Sequence, residues 1–312
     1  MGADKIVTKA SERSGPEQVK HEVDARFRAR PGSLYVVATP LGNLRDMTLR
    51  ALDVLATADV IAAEDTRTTA ALLRHYGIAT HPMSMHEHNE AQRADRIAVM
   101  LGAGRSVALV SDAGTPAISD PGARLVRTVR EAGYPVIPVP GAAAIIAAVS
   151  AAGLDSGTFH FAGFLPAARR ARRTELARLA ALPSALVFYE APHRVRATID
   201  DFVAAFGPAR ALIVARELTK TFETITRMAL ADAPAWMAED DNRARGEFVL
   251  IVDAPPAPAN DAAMALSEDV ERWLGALLDE LPPARAARVI AAVTGVPREI
   301  VYARALALKP EA

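Results

Sequence analysis

The sequence contains no cysteine among its 312 residues. Disulfide bonds, thiolate nucleophiles and cysteine-ligated zinc or iron–sulfur sites are therefore excluded. No apolar run approaches the ~18 residues that a membrane-spanning helix requires, and the polar, mixed-charge residues 1–32 do not resemble a secretory signal. We therefore expect a cytoplasmic protein without a membrane anchor.

Lysine is also scarce, since only a handful of the 36 basic residues are not arginine. Arginine is suited to bidentate contacts with phosphate, although a coding bias towards arginine and alanine would give the same composition. The net charge of −1 argues against a general nucleic-acid coat but leaves room for a local basic groove.

Two nucleotide-binding signatures are absent as well. No Gly-x-Gly-x-x-Gly follows the first predicted strand, and no Gly-x-x-x-x-Gly-Lys-Ser/Thr occurs anywhere in the chain. A dinucleotide-dependent enzyme and a P-loop NTPase are therefore disfavoured.

Short apolar runs alternate with amphipathic segments from residue 33 onwards. This alternation predicts an α/β fold with a largely parallel sheet. The predicted strands Phe222–Met228 and Glu247–Val252 lack an obvious long helix between them, so we expect part of a second sheet to be antiparallel. The predicted organisation is a disordered tail at 1–32, an N-terminal α/β domain at 33–143, a C-terminal α/β domain at 144–253 and a small helical appendage at 261–312.

Three loops rich in glycine, proline and small polar residues each follow a predicted strand, at 39–44, 111–122 and 140–144. In open α/β sheets, ligands bind beyond the carboxyl ends of the strands, and glycine there lets the backbone approach a ligand closely. Any one of these loops could be only a tight turn. The three together predict a site for a small, flat or nucleotide-like molecule.

Several titratable residues are candidates for chemistry. Glu64 and Asp65 end one predicted strand, where they could act as a base or simply favour the N-terminus of the next helix. Lys220 follows another strand and could be a base, an electrostatic group or a phosphate anchor. His86 and His88 could share one face of a strand, but no third ligand with a matching pattern accompanies them, so we expect no metal site.

A dense arginine cluster opens one predicted helix and consists of Arg169, Arg170, Arg172 and Arg173. Like charges at this helical spacing repel each other by roughly 0.2–0.5 kcal/mol per pair. A solvated helix face is one explanation, and a bound polyanion that relieves the repulsion is another. Together with Arg194 and Arg196, the cluster predicts an RNA-binding groove.

Several long strings follow one another in an order known from one family. They are Leu34–Leu44, Ala63–Arg67, His86–Glu90, Leu109–Gly122, Val187–Arg194, Ala215–Lys220 and Gly246–Leu250. On these motifs the chain resembles the tetrapyrrole methylase superfamily, and within it the branch of 16S rRNA (cytidine-2'-O)-methyltransferases.

The resemblance implies two α/β domains with S-adenosylmethionine between them, and a homodimer. It implies methyl transfer to the ribose 2'-hydroxyl of a decoding-centre cytidine in 16S rRNA, with the small ribosomal subunit as the expected partner. The first loop, Pro40-Leu-Gly-Asn-Leu-Arg-Asp46, departs from the superfamily pattern Gly-x-Gly-x-Gly-Asp. The third loop has Ala143 where a serine is usual, which puts a hydroxyl contact there in doubt.

The cofactor contacts implied by the resemblance fall on the three loops and on the backbone of the second domain. They are Pro40, Gly42, Ser111, Asp112, Ala113, Gly114, Ser119, Pro140, Gly141, Ala142, Phe188, Tyr189, Ala215 and Gly246. A ribose hydroxyl is a poor nucleophile, so a nearby base or cation should assist the transfer. The candidates are Glu64, Asp65, Glu190, Lys220 and Glu247, of which we favour Lys220 and Glu190.

Two alternatives stay open. A methylase of the same fold could act on a carbon of a tetrapyrrole ring, but the arginine cluster and the helical appendage disfavour this reaction. A non-catalytic RNA-binding assembly factor would need no cofactor, and the intact glycine loops argue against it.

Overall fold

The computed structural model describes residues 22–86, 89–155, 157–255 and 266–308. A first sheet is built from β1 (Leu34–Val37), β2 (Val60–Ala63), β3 (Pro82–Ser84), β4 (Val107–Val110) and β5 (Val136–Val139). The helices along this half are α1 (Leu49–Thr57), α2 (Thr66–His75), α3 (Glu90–Gly102), α4 (Ala123–Glu131) and α5 (Ala144–Ala151). All pairings in the sheet are parallel, in the order β3-β2-β4-β1-β5.

The inner strands of this sheet explain why it is parallel. Every residue of β2 and β4 is buried, as expected for strands covered by helices on both faces. One apolar cluster around Leu55 covers one face, and another around Leu101 covers the other. Because parallel strands end at the same edge, the loops that follow β1, β2, β4 and β5 meet there.

A second sheet follows, made of β6 (Phe159–Phe164), β7 (Ala185–Glu190), β8 (Ala211–Arg216), β9 (Thr224–Ala229) and β10 (Phe248–Val252). Its helices are α6 (Arg169–Leu179), α7 (Val195–Phe206) and α8 (Ala233–Glu239). Only the β6–β7 pairing is parallel within the order β6-β7-β10-β8-β9. The expectation of a partly antiparallel sheet is thus confirmed.

The two sheets share apolar packing. Ile145 and Ala148 of α5 belong to one buried cluster with residues of β7, β8 and β10. Contacts accordingly group the chain up to Ala254 into one compact unit and the chain from Pro255 into another.

The second unit contains three helices, α9 (Glu268–Glu280), α10 (Pro283–Thr294) and α11 (Arg298–Leu308). The Ser267 hydroxyl accepts a hydrogen bond from the Val270 N–H at 3.4 Å, so Ser267 is the N-cap of α9. Leu274 and Ile290 are buried in its apolar core. No helix in the described ranges combines the length and the apolar character needed to cross a membrane.

The predicted disordered tail is too long at its C-terminal end. Residues 25–27 form a 3-10 helix. The Asp24 N–H donates to Asp53 Oδ1 and the Ala29 N–H donates to Thr57 Oγ1, each at 2.9 Å, which ties this segment to α1. Such bonds to side chains far along the chain leave no periodic signal in the sequence. Residues 1–21 lie outside the described part of the chain.

Candidate active site at the edge of the first sheet

A cavity of about 370 Å³ lies between the two sheets, at the carboxyl edge of the first. Acidic residues and the loop after β4 form one side, while aromatic and apolar residues, most of them from the second sheet, form the other. The lining residues are Leu41, Glu64, Asp112, Ala113, Gly114, Thr115, Ile118, Asp120, Ala143, Ala144, Phe164, Tyr189, Glu190, Ala191, Pro192, Leu218, Glu247, Phe248 and Val249.

The loop after β4 has an unusual backbone. Gly114 has φ +82°, and Ala117 and Ser119 have φ +66° and +65°. A left-handed conformation costs a residue with a Cβ about 1–2 kcal/mol, and such strain concentrates at ligand sites. Paired backbone hydrogen bonds of 2.9 Å between Thr39 and Gly114 fix this loop to the loop after β1.

Three carboxylates face the cavity without a counter-ion. Glu64, Asp112 and Asp120 form no ion pair with any residue that the structure describes. Burial raises the pKa of Glu64, and the neighbouring Asp120 and Asp112 raise it further. Burial also raises the pKa of Asp120. Asp112 Oδ1 accepts the Asp65 N–H at 3.0 Å, which orients it. This side of the cavity is suited to a positively charged ligand.

Aromatic rings form part of the opposite side. Tyr189 packs edge-on against Phe161 and Phe164, with ring centroids 4.9 and 5.6 Å apart. Its hydroxyl accepts the Ile145 N–H at 3.2 Å, and burial raises the pKa of the phenol. A neutral, fixed ring of this kind can pack against a flat ring or a cation.

The structure brings part of the expected cofactor set to the cavity. Asp112, Ala113, Gly114 and Tyr189 line it. Asp120 and Phe164 line it too, although sequence reasoning missed both of them. Asp120 could have been found, since it is the second acidic residue of the loop string 111–122. The expected residues outside the lining are Pro40, Gly42, Ser111, Ser119, Pro140, Gly141, Ala142, Phe188, Ala215 and Gly246.

For two of these outlying residues the expected contact is through the backbone, and their side chains are buried away from the cavity. Phe188 is fully buried and packs on Phe202 in the core beneath the second sheet, because successive residues of a strand point to opposite faces. Its neighbour Tyr189 therefore faces the cavity. Ala215 is likewise fully buried in the cluster around α5.

Asp65 is a helix cap and is not suited to be a base. Its side chain accepts the Arg67 N–H at 2.8 Å and pairs with the Arg67 guanidinium at 2.8 Å. Hydrogen bonds from Arg67 lower the pKa of Asp65 to about 2. A carboxylate with this pKa is a very weak base at neutral pH. The helix-terminus reading of Asp65 is therefore the correct one.

Glu190, favoured from the sequence as a base, has both carboxylate oxygens engaged. Oε2 accepts the Thr198 hydroxyl at 2.6 Å, and Oε1 accepts the Ala191 N–H at 2.8 Å. The same Oε1 lies 3.1 Å from Arg194 Nε in an ion pair. Glu190 reaches the cavity wall, but this bonding assigns it to the junction of β7 and α7 rather than to proton transfer.

Lys220 is held between two carboxylates. Its Nζ lies 2.9 Å from Glu217 Oε1 and 3.0 Å from Glu247 Oε2. Burial alone lowers the pKa of Lys220, but these hydrogen bonds outweigh it and leave the pKa raised. A raised pKa favours the protonated amine, which suits an electrostatic role better than that of a base. A Cβ at Gly42 would overlap the Lys220 side chain. The glycine therefore allows the loop after β1 to contact the loop after β8.

The predicted RNA-binding arginines divide into two sets. Arg172 is buried in a bidentate pair with Asp201, at 2.8 Å from Nε and 2.7 Å from Nη2. Arg194 pairs with Glu190 and donates to the Leu165 carbonyl at 2.6 Å. Both guanidinium groups are engaged by a carboxylate within the fold, which favours a structural role for them over contact with RNA. The exposed set consists of Arg169, Arg170, Arg173 and Arg196.

The fold is that of a known class. Residues 33–234 match the tetrapyrrole (corrin/porphyrin) methylases. The solved structure of cobalt precorrin-4 methyltransferase has a TM-score of 0.53 and 17% identity over 71% of this chain and 95% of its own. That of the methyltransferase CobJ has a TM-score of 0.56 and 22% identity over 73% and 96%. The chain belongs to the tetrapyrrole methylase family.

More similar relatives share one name, ribosomal RNA small subunit methyltransferase I. The protein of Escherichia coli O157:H7 is 49% identical over 88% of this chain and 95% of its own length. That of Vibrio cholerae is 48% identical over 86% and 92%, and that of Neisseria meningitidis serogroup B is 46% identical over 93% and 98%. Residues 264–309 match the RsmI C-terminal HTH domain.

S-adenosylmethionine is the methyl donor that this family implies, and the cavity fits it. The donor carries a positive sulfonium and an ammonium group, for which the unpaired Glu64, Asp112 and Asp120 provide negative charge. Its adenine is flat, and Tyr189 offers a ring edge and apolar neighbours. A Cβ at Gly114 would lie 3.2 Å from Leu41, so the loop backbone sits tight against the wall.

Proposed function

We propose that the chain transfers a methyl group from S-adenosylmethionine to the ribose 2'-hydroxyl of a cytidine in 16S rRNA. One observation carries the proposal: an acid-lined cavity with an aromatic wall lies at the ligand edge of the sheet. The 49% identity to a ribosomal RNA small subunit methyltransferase I supports rRNA as the substrate.

Binding of the donor rests on Asp112, Gly114 and Tyr189 in this proposal. S-adenosylmethionine supplies a methyl group activated by positive sulfur. Asp112 and Asp120 hold the cationic part by charge, and Tyr189 with Leu41 packs on the adenosine. Since these groups are already fixed by hydrogen bonds and packing, the chain positions the reactants in advance. Positioning of this kind can contribute roughly 7–11 kcal/mol to a displacement reaction.

Glu64 is the carboxylate best suited to take the proton of the attacking hydroxyl. It lines the cavity, forms no ion pair with a described residue, and has a raised pKa because of burial and the nearby Asp120 and Asp112. A raised pKa makes a carboxylate a better base near neutral pH. Lys220 lies outside the lining but pairs with the lining residue Glu247, and its amine adds positive charge on that side of the cavity.

The cellular setting belongs to the same proposal. We infer that the chain acts as a homodimer in the cytoplasm, with rRNA in the small ribosomal subunit as its substrate. Sedimentation equilibrium of the purified protein tests the dimer. Methylation assays on free 16S rRNA and on assembled subunits decide between the two substrate forms.

Calorimetric titration with S-adenosylmethionine is the first test. We expect saturable binding that weakens at least about tenfold in Asp112→Ala, since a hydrogen bond to a charged group is worth about 1.5–3 kcal/mol. Asp95→Ala, an exposed change on α3, is the matched control and should bind like the unaltered protein. Equal affinity in both variants would place the cofactor elsewhere.

Transfer of a labelled methyl group then tests the acceptor. We expect label on small-subunit RNA at a ribose that resists alkaline cleavage. Label on uroporphyrinogen or a precorrin instead would establish the tetrapyrrole alternative, which the solved relatives support only at the level of fold. Failure of the unaltered protein to bind the donor would leave an RNA-binding assembly factor.

A further inference from the structure

A second, open cavity of about 620 Å³ lies over the first turns of α6. Its lining consists of Arg169, Arg170, Arg173, Thr174 and Ala177. No acidic residue occurs in the first turn of α6, and the N-cap residue Ala168 makes no capping hydrogen bond through its side chain. A helix N-terminus carries partial positive charge. Cationic side chains there are repelled by this charge as well as by one another.

A single buried carboxylate offsets part of this charge. Asp201 on α7 is fully buried and pairs with three arginines. It holds Arg172 through two nitrogens. It holds Arg169 and Arg173 through Nε alone, at 3.2 and 3.0 Å.

The mode of pairing leaves donors for a ligand. A guanidinium has five N–H groups in a planar fork. The terminal nitrogens of Arg169 and Arg173 form no hydrogen bond to any residue that the structure describes, and these side chains are 65% and 54% exposed. Arg170 is exposed and has no ion-pair partner among the described residues. Three guanidinium groups therefore share one carboxylate and the fourth, that of Arg170, pairs with none in the described part of the chain, so most of their positive charge is unbalanced.

We propose that this groove binds consecutive phosphates of the RNA substrate through Arg169, Arg170 and Arg173. Planar forks with free terminal nitrogens match phosphate oxygens in a bidentate way, and the N-terminus of α6 adds backbone N–H groups aimed at the same region. Contacts of this kind position an RNA strand and do not read its sequence. The inference rests on the proposed rRNA methylation, because it names how that substrate is held.

Salt dependence gives a direct test. Binding of a fluorescent 16S decoding-region RNA is measured between low and high salt for the unaltered chain and for the triple variant R169Q/R170Q/R173Q. The logarithm of affinity falls with the logarithm of salt by about 0.7 for each phosphate contact on a single strand. We expect the triple variant to lose about 2 from this slope and to bind at least about tenfold more weakly at moderate salt.

A matched control separates a local site from general charge. The triple variant R96Q/R127Q/R130Q removes the same charge from exposed positions of α3 and α4. It should retain most of the slope. Equal losses in both triple variants, or none in the α6 variant, would overturn the groove as a phosphate site.

Two further measurements distinguish lost phosphate contacts from damage to the fold or to the donor site. The single variant R170Q removes a side chain that makes no ion pair, so folding is preserved, and it should lower the slope by about 0.7. Titration with S-adenosylmethionine should be unchanged in all variants. If the unaltered chain methylates rRNA while the α6 variant keeps its KM for RNA, the groove fails and the proposed function stands. If the unaltered chain methylates no rRNA, both fail.

Discussion

The carboxylates on the two sides of the main cavity differ in their ion pairing. On the side of the first sheet, Glu64 and Asp120 have no ion-pair partner among the described residues, and burial raises the pKa of each. On the side of the second sheet, Glu190 pairs with Arg194 and Glu247 with Lys220. The unpaired carboxylates can neutralise a bound cation, whereas the paired ones already have their counter-charge within the protein.

The contrast appears even between adjacent residues. Glu64 faces the cavity and has a raised pKa, while the next residue, Asp65, caps α2 and has a pKa lowered to about 2. Both residues follow β2, which ends at Ala63, and both carry a carboxyl group. What separates their roles is the direction of the side chain and the presence of Arg67.

Removing a carboxylate that forms an ion pair should have the largest effect on the stability of the fold. Glu190→Ala leaves Arg194 with only backbone carbonyl partners and removes the acceptor of the Thr198 hydroxyl. We expect the free energy of unfolding to fall by about 3 kcal/mol, the scale for breaking a buried pair. Urea denaturation measures this change.

Glu190→Gln serves as the conservative control, because it keeps an acceptor oxygen and most of the shape. It should recover much of the stability. Unchanged stability in both variants, together with a shift of either limb of the pH–rate profile, would instead support Glu190 as the base.

The ligand edge could be predicted because it depends on local signals. Loops that follow parallel strands must meet at one edge, so the strings around Gly114 and Pro140 pointed to the same place. The two-residue period of a strand could also have distinguished Tyr189 from Phe188, since adjacent residues face opposite sides.

The pairing of charges could not be predicted. Asp201 lies on α7, far along the chain from the arginines of α6, and nothing in the local sequence links them. Its presence turns Arg172 from a candidate RNA ligand into part of the core. For Lys220 only part of the pairing is remote, because Glu217 lies three residues before it whereas Glu247 comes from another segment.

The side of the cavity that the first sheet forms also depends on a helix cap from another segment of the chain. Glu90 Oε1, at the start of α3, accepts the N–H groups of Gly122, Arg124 and Leu125 at 3.0, 2.9 and 3.1 Å. It thereby caps α4 and fixes the end of the cofactor loop. Glu90→Ala should cost about 1–2 kcal/mol of stability, like other lost caps, and should also weaken binding of S-adenosylmethionine several-fold.

Calorimetry and thermal unfolding of three proteins test this role. Glu90→Gln retains the Oε1 acceptor and should restore most of the donor affinity. Glu131→Ala, at the exposed far end of α4, should change neither quantity. If Glu90→Ala lost stability yet bound the donor normally, the cap would be structural only.

The smallest expected effect is a gain in stability on replacing Glu64, one of the carboxylates without an ion-pair partner among the described residues. Because the pKa of Glu64 is raised in the folded chain, the folded state binds more protons than the unfolded state between the ordinary carboxyl pKa and the raised one, so its stability falls as pH rises through that window. Glu64→Gln removes this loss. We expect a gain below about 1 kcal/mol at pH 7, the scale of partly solvated electrostatic contacts, together with loss of methyl transfer. The gain should vanish below about pH 4, where both states are protonated. A uniform gain at every pH would trace the effect to packing, and a loss at pH 7 would mean that Glu64 has a counter-charge like the carboxylates of the opposite side.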